Sequence, residues 1–170
     1  VQRRFDVTHV SPELYLGTRV NVGERRGAMG LVRGVSSTAP LVRRHVRLSE
    51  GRWPAAGEVL VGRLAAAKLG LEPEVLSVGR SIEFEGRQWR ISGRFSAGGS
   101  AFDSELWCGL SDLQQALKRQ DLSLVALLLQ PGAKPQGVEL FCKERVDLEL
   151  QAVAETGYYA ALQTHYRPLR

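Results

Sequence analysis

An α+β fold is predicted for this chain by three features of its sequence. The opening third alternates apolar and polar residues with the two-residue period of strands, as in Glu13-Leu-Tyr-Leu-Gly17. A tight hairpin is written into residues 81–95. The last third reads as strand–helix–strand–helix.

Each element has its own local reason. Met29–Gly34 and Leu41–Leu48 alternate less cleanly than 13–17 and are read as strands, with Ser36-Ser-Thr-Ala-Pro40 as the turn between them. Gly51–Gly57 is a loop, leading to the short strand Glu58–Val61. A helix rich in Ala and Leu runs from Arg63 to Leu69 and stops at Gly70, which takes positive φ without a Cβ clash. In the hairpin, Ile82 and Phe84 share one face, Glu85-Gly86 is the turn, and Trp89, Ile91 and Phe95 alternate on the return strand with Gly93 in register. Glu105–Gly109 is a strand. Ser111-Asp-Leu-Gln114 reads as a capping box opening a helix to about Gln120, with Leu113, Ala116 and Leu117 as its apolar stripe. Asp112 suits the positive helix start and Lys118-Arg119 the negative end. Leu124–Leu129 is read as a buried strand, Val138, Phe141 and Cys142 as one helix face, and Asp147–Ala152 as an alternating strand. The segment between those strands is long enough for a parallel crossover, which would be right-handed. A final helix is predicted from Glu155 to about His165.

Composition excludes several classes. At 170 residues with 44% hydrophobic and 24% charged, the chain has enough apolar material for a core and is not a disordered segment. No run approaches the length of a membrane span. Net charge is +5, with Arg25, Arg26, Arg33, Arg43, Arg44, Arg47 and Arg52 crowding the first third. Such a basic face meets nucleic acid or anionic lipid, or is solvated surface. Trp53 is the one aromatic residue among these arginines, which favours the solvated reading. Cys108 and Cys142 have no metal-type spacing. They could bridge in an oxidising compartment, or act as small buried hydrophobes.

The loop Phe95-Ser-Ala-Gly-Gly-Ser-Ala-Phe-Asp-Ser-Glu-Leu-Trp107 concentrates glycines, hydroxyls and carboxylates. As a phosphate cradle it lacks the lysine and the following helix that aim charge and amides at an anion. As a hydrolytic centre it lacks a base nearby in sequence: the histidines are His9, His45 and His165, and there is no Gly-x-Ser-x-Gly elbow. No cofactor or metal site is expected.

Val32-Arg-Gly-Val35, Val46–Pro54 and Gly57–Gly62 resemble the extracytoplasmic domain of MacB/FtsX-like ABC transporter permeases, most closely the DevC-like ones. Trp89–Phe95, Gly98–Trp107 and Glu155–Ala160 extend the resemblance in the same order. It implies a MacB-type periplasmic domain with a porter-like βαβ lobe, residues 1–35 plus 122–157, and an inserted small α/β lobe of the Sabre type, residues 36–121. Residues 158–170 would begin the helix leading to the membrane, and the abrupt ends would be those of a soluble piece set between two membrane helices. Tyr158, Tyr159, Tyr166, Arg167 and Arg170 suit a headgroup-level position in that arrangement.

Function follows from the same resemblance. The domain would be noncatalytic, on the periplasmic side of the bacterial inner membrane, coupling cytoplasmic ATP hydrolysis to export or partner engagement. Its partners would be a cytoplasmic ABC ATPase, a second permease copy and a membrane fusion protein or other periplasmic protein, with no nucleic acid. Gly98, Gly99, Ser100, Phe102, Asp103, Ser104 and Glu105 are the candidate contact surface, with Phe102 expected to be exposed and deletion of the loop expected to leave folding intact. The alternatives are an FtsX-like module that binds and activates a cell-wall hydrolase, and a nucleic-acid-binding α+β domain using the arginines.

Overall fold

A computed structural model describes residues 1–4, 7–155 and 157. The chain divides into two compact units, 1–128 and 129–170.

The first unit is built on an eight-stranded sheet. A two-residue ladder, β1 (Arg3–Arg4) with β2 (Val7–Thr8), precedes it. The sheet strands are β3 (Val10–Val22), β4 (Arg25–Val35), β5 (Arg47–Gly51), β6 (Glu58–Gly62), β7 (Ser81–Phe84), β8 (Arg87–Ser96), β9 (Glu105–Gly109) and β10 (Leu124–Leu127). Their spatial order is β10-β3-β4-β9-β6-β8-β5. β7 pairs with β8 and, through Asn21↔Glu83, with β3, so the ladder curls back from β8 to β3. β4/β9 and β6/β8 are parallel pairs. Three helices belong to this unit: α1 (Ala39–Val42), α2 (Ala65–Leu69) and α3 (Leu110–Leu117).

Strand alternation gives the sheet two unlike faces. Leu14, Val32, Leu106, Cys108, Val59 and Val61 point to one face, where Leu69 of α2, Leu76 and Leu113 of α3 complete the apolar core. We call this face A. The intervening residues Glu13, Arg33, Glu105 and Trp107 point to the opposite face, B, as the strand registers require. The 81–95 hairpin forms as predicted, with Glu85 at φ 50 and Gly86 at φ 68 in its turn and Phe84 stacked on Trp89 at 4.6 Å. One detail of it differs. A register shift between Val59 and Leu60 inserts an extra residue in β8 between Ile91 and Gly93. Trp89 and Ile91 therefore join the core of face A, while Phe95 packs on Trp107 of face B. A bulge reverses parity, which simple alternation does not anticipate.

Other expectations are corrected. Residues 41–48 do not form one strand. Pro40 sits in the first turn of α1, where its missing N–H costs nothing, and β5 starts only at Arg47. The capping box does not form. α3 begins at Leu110 with Gly109 as its cap and no side-chain bond, so Ser111 already lies inside the helix. Gln114 donates instead to the carbonyls of Gln120 and Asp121. The helix ends at Leu117 because Lys118 turns left-handed at φ 54. β10 is an edge strand, partly exposed rather than buried, and antiparallel to β3.

In the second unit, α4 (Gln136–Glu144) carries Val138, Phe141 and Cys142 as predicted. The strand predicted at 147–152 is replaced by a single 3-10 turn, Val146–Leu148, followed by Glu149 in the left-handed region. The parallel crossover is therefore absent among the described residues. The helix predicted to run on to His165 falls almost wholly outside them.

Both cysteines are free, Cys108 buried in β9 and Cys142 half-buried. Burial, with the nearby Asp112 charge, pushes the Cys108 thiol up. Titration of the native protein with Ellman's reagent is expected to label Cys142 alone, and both thiols only in denaturant; rapid native labelling of Cys108 would contradict its placement.

Candidate functional site

Face B is where the sequence's chemistry-bearing residues converge. β3, β4 and β9 lie side by side, so Glu13, Arg33 and Glu105 meet across three strands. The Arg33 guanidinium donates from Nε and Nη2 to Glu105, at 2.7 and 2.8 Å, and from Nη1 to Glu13 Oε2 at 2.8 Å. Arg43, just past α1, donates from Nε and Nη2 to the same Glu13, both at 2.9 Å. Trp107 Nε1 adds a bond to Glu105 at 2.7 Å. All four ionic side chains are at most 4% exposed. Two guanidinium groups face two carboxylates, so the buried charge cancels.

The glycine loop closes over this layer. Phe102 is fully buried. Its ring lies 4.8 Å from the Arg33 guanidinium carbon and 4.9 Å from that of Arg43, meets Trp107 edge-on at 5.5 Å and stacks with His45 at 5.5 Å. The neighbouring Asp103 organises the loop from within. Its Oδ1 accepts from Ala97 N–H at 2.6 Å, and its Oδ2 from Gly99 N–H at 2.8 Å and Arg63 Nε at 2.9 Å. The loop backbone runs so close to β6 that a Cβ on Gly62 would stand 2.4 Å from the Asp103 carbonyl oxygen, which only glycine allows.

The residues singled out from sequence thus separate into two groups. Phe102, Asp103 and Glu105 are buried, and the exposure expected of Phe102 is corrected: its ring is the wedge between two guanidinium groups and Trp107. Deletion of the loop would accordingly remove part of the interior. Gly98 and Gly99 are exposed and Ser100 and Ser104 half-buried, so the tip alone presents a surface. Tyr158, Tyr159, Tyr166, Arg167 and Arg170 lie outside the described residues.

Acid–base chemistry finds no free group in this layer. Every oxygen of Glu13, Glu105 and Asp103 already accepts a hydrogen bond. Among the described residues no group of three His, Cys, Asp or Glu is arranged to hold a metal ion. The arginine cluster is also reinterpreted: Arg33 and Arg43 are internal, and Arg52 is clamped to Glu58 at 2.6 and 2.7 Å. Arg33 and Arg43 were missed as site residues. The signal that could have found Arg33 is parity, since it alternates in phase with Val35 as Glu13 does with Tyr15.

Comparison with known proteins assigns this architecture. Residues 1–139 match the family described as the MacB-like periplasmic core domain. The chain belongs to that family. Several solved structures share its fold. The periplasmic region of MacB from Actinobacillus actinomycetemcomitans is 15% identical, with a TM-score of 0.62 over 81% of this chain and 64% of that one. The extracellular domain of the noncanonic ABC-type transporter YknZ from Gram-positive bacteria is 14% identical, with a TM-score of 0.63 over 79% of this chain and 74% of that one. A domain of a putative permease from Porphyromonas gingivalis is 13% identical, with a TM-score of 0.55 over 84% and 64%. At these identities the likeness is one of fold. The chain spans 64% of the length of the MacB region it matches. No curated protein matches significantly. Among the described residues no helix is long and apolar enough to cross a membrane.

The ionic layer yields a sharp stability test. Arg33→Met leaves Glu105 buried without its counterion and is expected to cost about 3–5 kcal/mol. The double variant Arg33→Met/Glu105→Gln removes both charges, keeps an acceptor for Trp107 and leaves Glu13 paired with Arg43. It is expected to recover most of that loss in urea unfolding; a double variant as unstable as the single one would show that the charges are not coupled. Phe102→Ala is expected to cost about 3–5 kcal/mol by the same measurement, whereas a surface side chain would cost almost nothing.

Proposed function

We propose that this MacB-like domain is a noncatalytic extracytoplasmic element of an ABC permease, coupling ATP hydrolysis on a cytoplasmic ATPase to substrate export or to engagement of a periplasmic partner. The observation that carries the reading is the glycine-loop tip. Gly98, Gly99 and Ala101 are exposed, yet the backbone beneath them is fixed by Asp103 and by the buried Phe102. A surface held this firmly can receive or transmit force, because it moves with the sheet rather than yielding locally. Partner contact at such a site needs little ordering entropy. In the full permease the partner at the tip would be a membrane fusion protein or a second permease copy. The consumption of Glu13, Glu105 and Asp103 in ion pairs supports a mechanical role over a chemical one.

The test is a photocrosslinking side chain placed at Ala101 in the full permease, with the same probe at the exposed Lys68 of α2 as control. A single adduct with a membrane fusion protein or permease copy is expected at 101 and none at 68. Absence of any adduct at 101 in an actively transporting permease would remove the tip from the contact surface. An adduct with a cell-wall hydrolase or its activator would favour the FtsX-like alternative.

A further inference from the structure

The parallel strands β4 and β9 end side by side, at Val35 and Gly109. The chain leaves them toward opposite faces. From β9 it enters α3, whose Leu113 packs into the core of face A. From β4 it passes through α1 to Arg43, bonded to Glu13 on face B. Strands whose continuations part in this way leave a crevice beyond their carboxyl ends, lined here by Val35 and Gly109 themselves. Here the crevice is an open cleft of about 610 Å³. Its volume falls within the range of ligand sites.

The lining chemistry is specific. Trp53, Pro54 and Pro40 form an apolar ridge, and Ser37 and Ser111 bring hydroxyls. No lining residue is charged. Trp53 is positioned from behind. The Arg52 guanidinium grips Glu58 and donates to the Trp53 carbonyl, and Glu58 also accepts from Ala55 N–H. The Arg52 hydrogen bonds, then the Ala55 amide, hold the Glu58 carboxyl below the usual carboxylate range, so the clamp stays charged at neutral pH. The Trp53 indole N–H and the hydroxyls of Ser37 and Ser111 hold no hydrogen bond to another described residue. With Ser37 and Ser111 exposed and Trp53 half-buried, these groups are open to solvent and to a ligand.

We propose that this cleft binds a short, uncharged peptide segment in an extended, polyproline-like conformation. An aromatic and proline ridge with a free indole N–H is the chemistry by which grooves take such segments, the ring packing on the peptide and the N–H donating to a ligand carbonyl. An ionised ligand side chain would find no countercharge among the lining residues, which favours an uncharged segment. This surface is separate from the glycine-loop tip and does not depend on the role proposed for it.

The experiment is a nitrogen-15 correlation titration of the 170-residue chain with a blocked octapeptide of alternating proline and alanine. Parallel titrations use a proline–glutamate octapeptide and an N-acetylglucosamine tetramer. The Trp53 indole signal, assigned by its loss in Trp53→Phe, is expected to shift saturably with the neutral peptide, together with the Ser37 and Ser111 amides. The Trp89 and Trp107 indoles, buried elsewhere, should stay fixed. Ser37→Lys, at an exposed position, is expected to weaken binding about tenfold with melting unchanged. No shift, an equal shift with the acidic peptide, or a shift with the saccharide alone would each overturn the proposal.

Discussion

The structure depends on one buried ionic layer. Taking two carboxylates and two guanidinium groups out of water costs several kcal/mol per ion, and their attraction offsets this only where geometry is good and every donor is met. In this chain the geometry is good only in one arrangement, because the four groups come from β3, β4, β9 and the turn after α1. A one-residue slip of β3 against β4 would turn Glu13 into the apolar core and Leu14 outward. The layer therefore penalises wrong registers more heavily than an apolar layer would, which is the sense in which it specifies the sheet.

The glycine loop is best understood from that layer outward. A phenylalanine placed over two guanidinium groups shields them from water and gains from their charge. It reaches them only because the loop turns tightly at Gly98 and Gly99 and passes within touching distance of Gly62. A stretch dense in glycines, hydroxyls and carboxylates is thus the lid of a structural network, and only its tip stays exposed. The surfaces proposed to be functional lie where the network does not reach: that tip and the neutral cleft beyond β4 and β9.

The second unit shows the opposite case. Asp147–Ala152 alternates as a strand should, but alternation is a local preference and a strand exists only where an edge accepts its hydrogen bonds. Here the chain makes a 3-10 turn instead, and Val146, Leu148, Leu150 and Val153 stay exposed. The amphipathic spacing of α4 needs no such partner to form its backbone bonds, so that helix appears where the pattern places it.

What the sequence determined by itself was local. The strands at 13–17, 29–34, 58–61 and 105–109, the helix stopped by Gly70 and the hairpin around Gly86 all follow from periodicity and turn chemistry within a few residues. The family resemblance was legible too, from ordered motifs. Only the tertiary structure decided which face each strand residue serves. The bulge in β8 sends Phe95 to face B, and the pairing of β4 with β9 brings Arg33 to Glu105 across 72 positions of chain. The physical reason is that burial of a charge depends on partners far away in sequence, whereas periodicity reports only on neighbours; arginines that read as a solvated face were therefore divided between surface and interior by contacts no local pattern encodes.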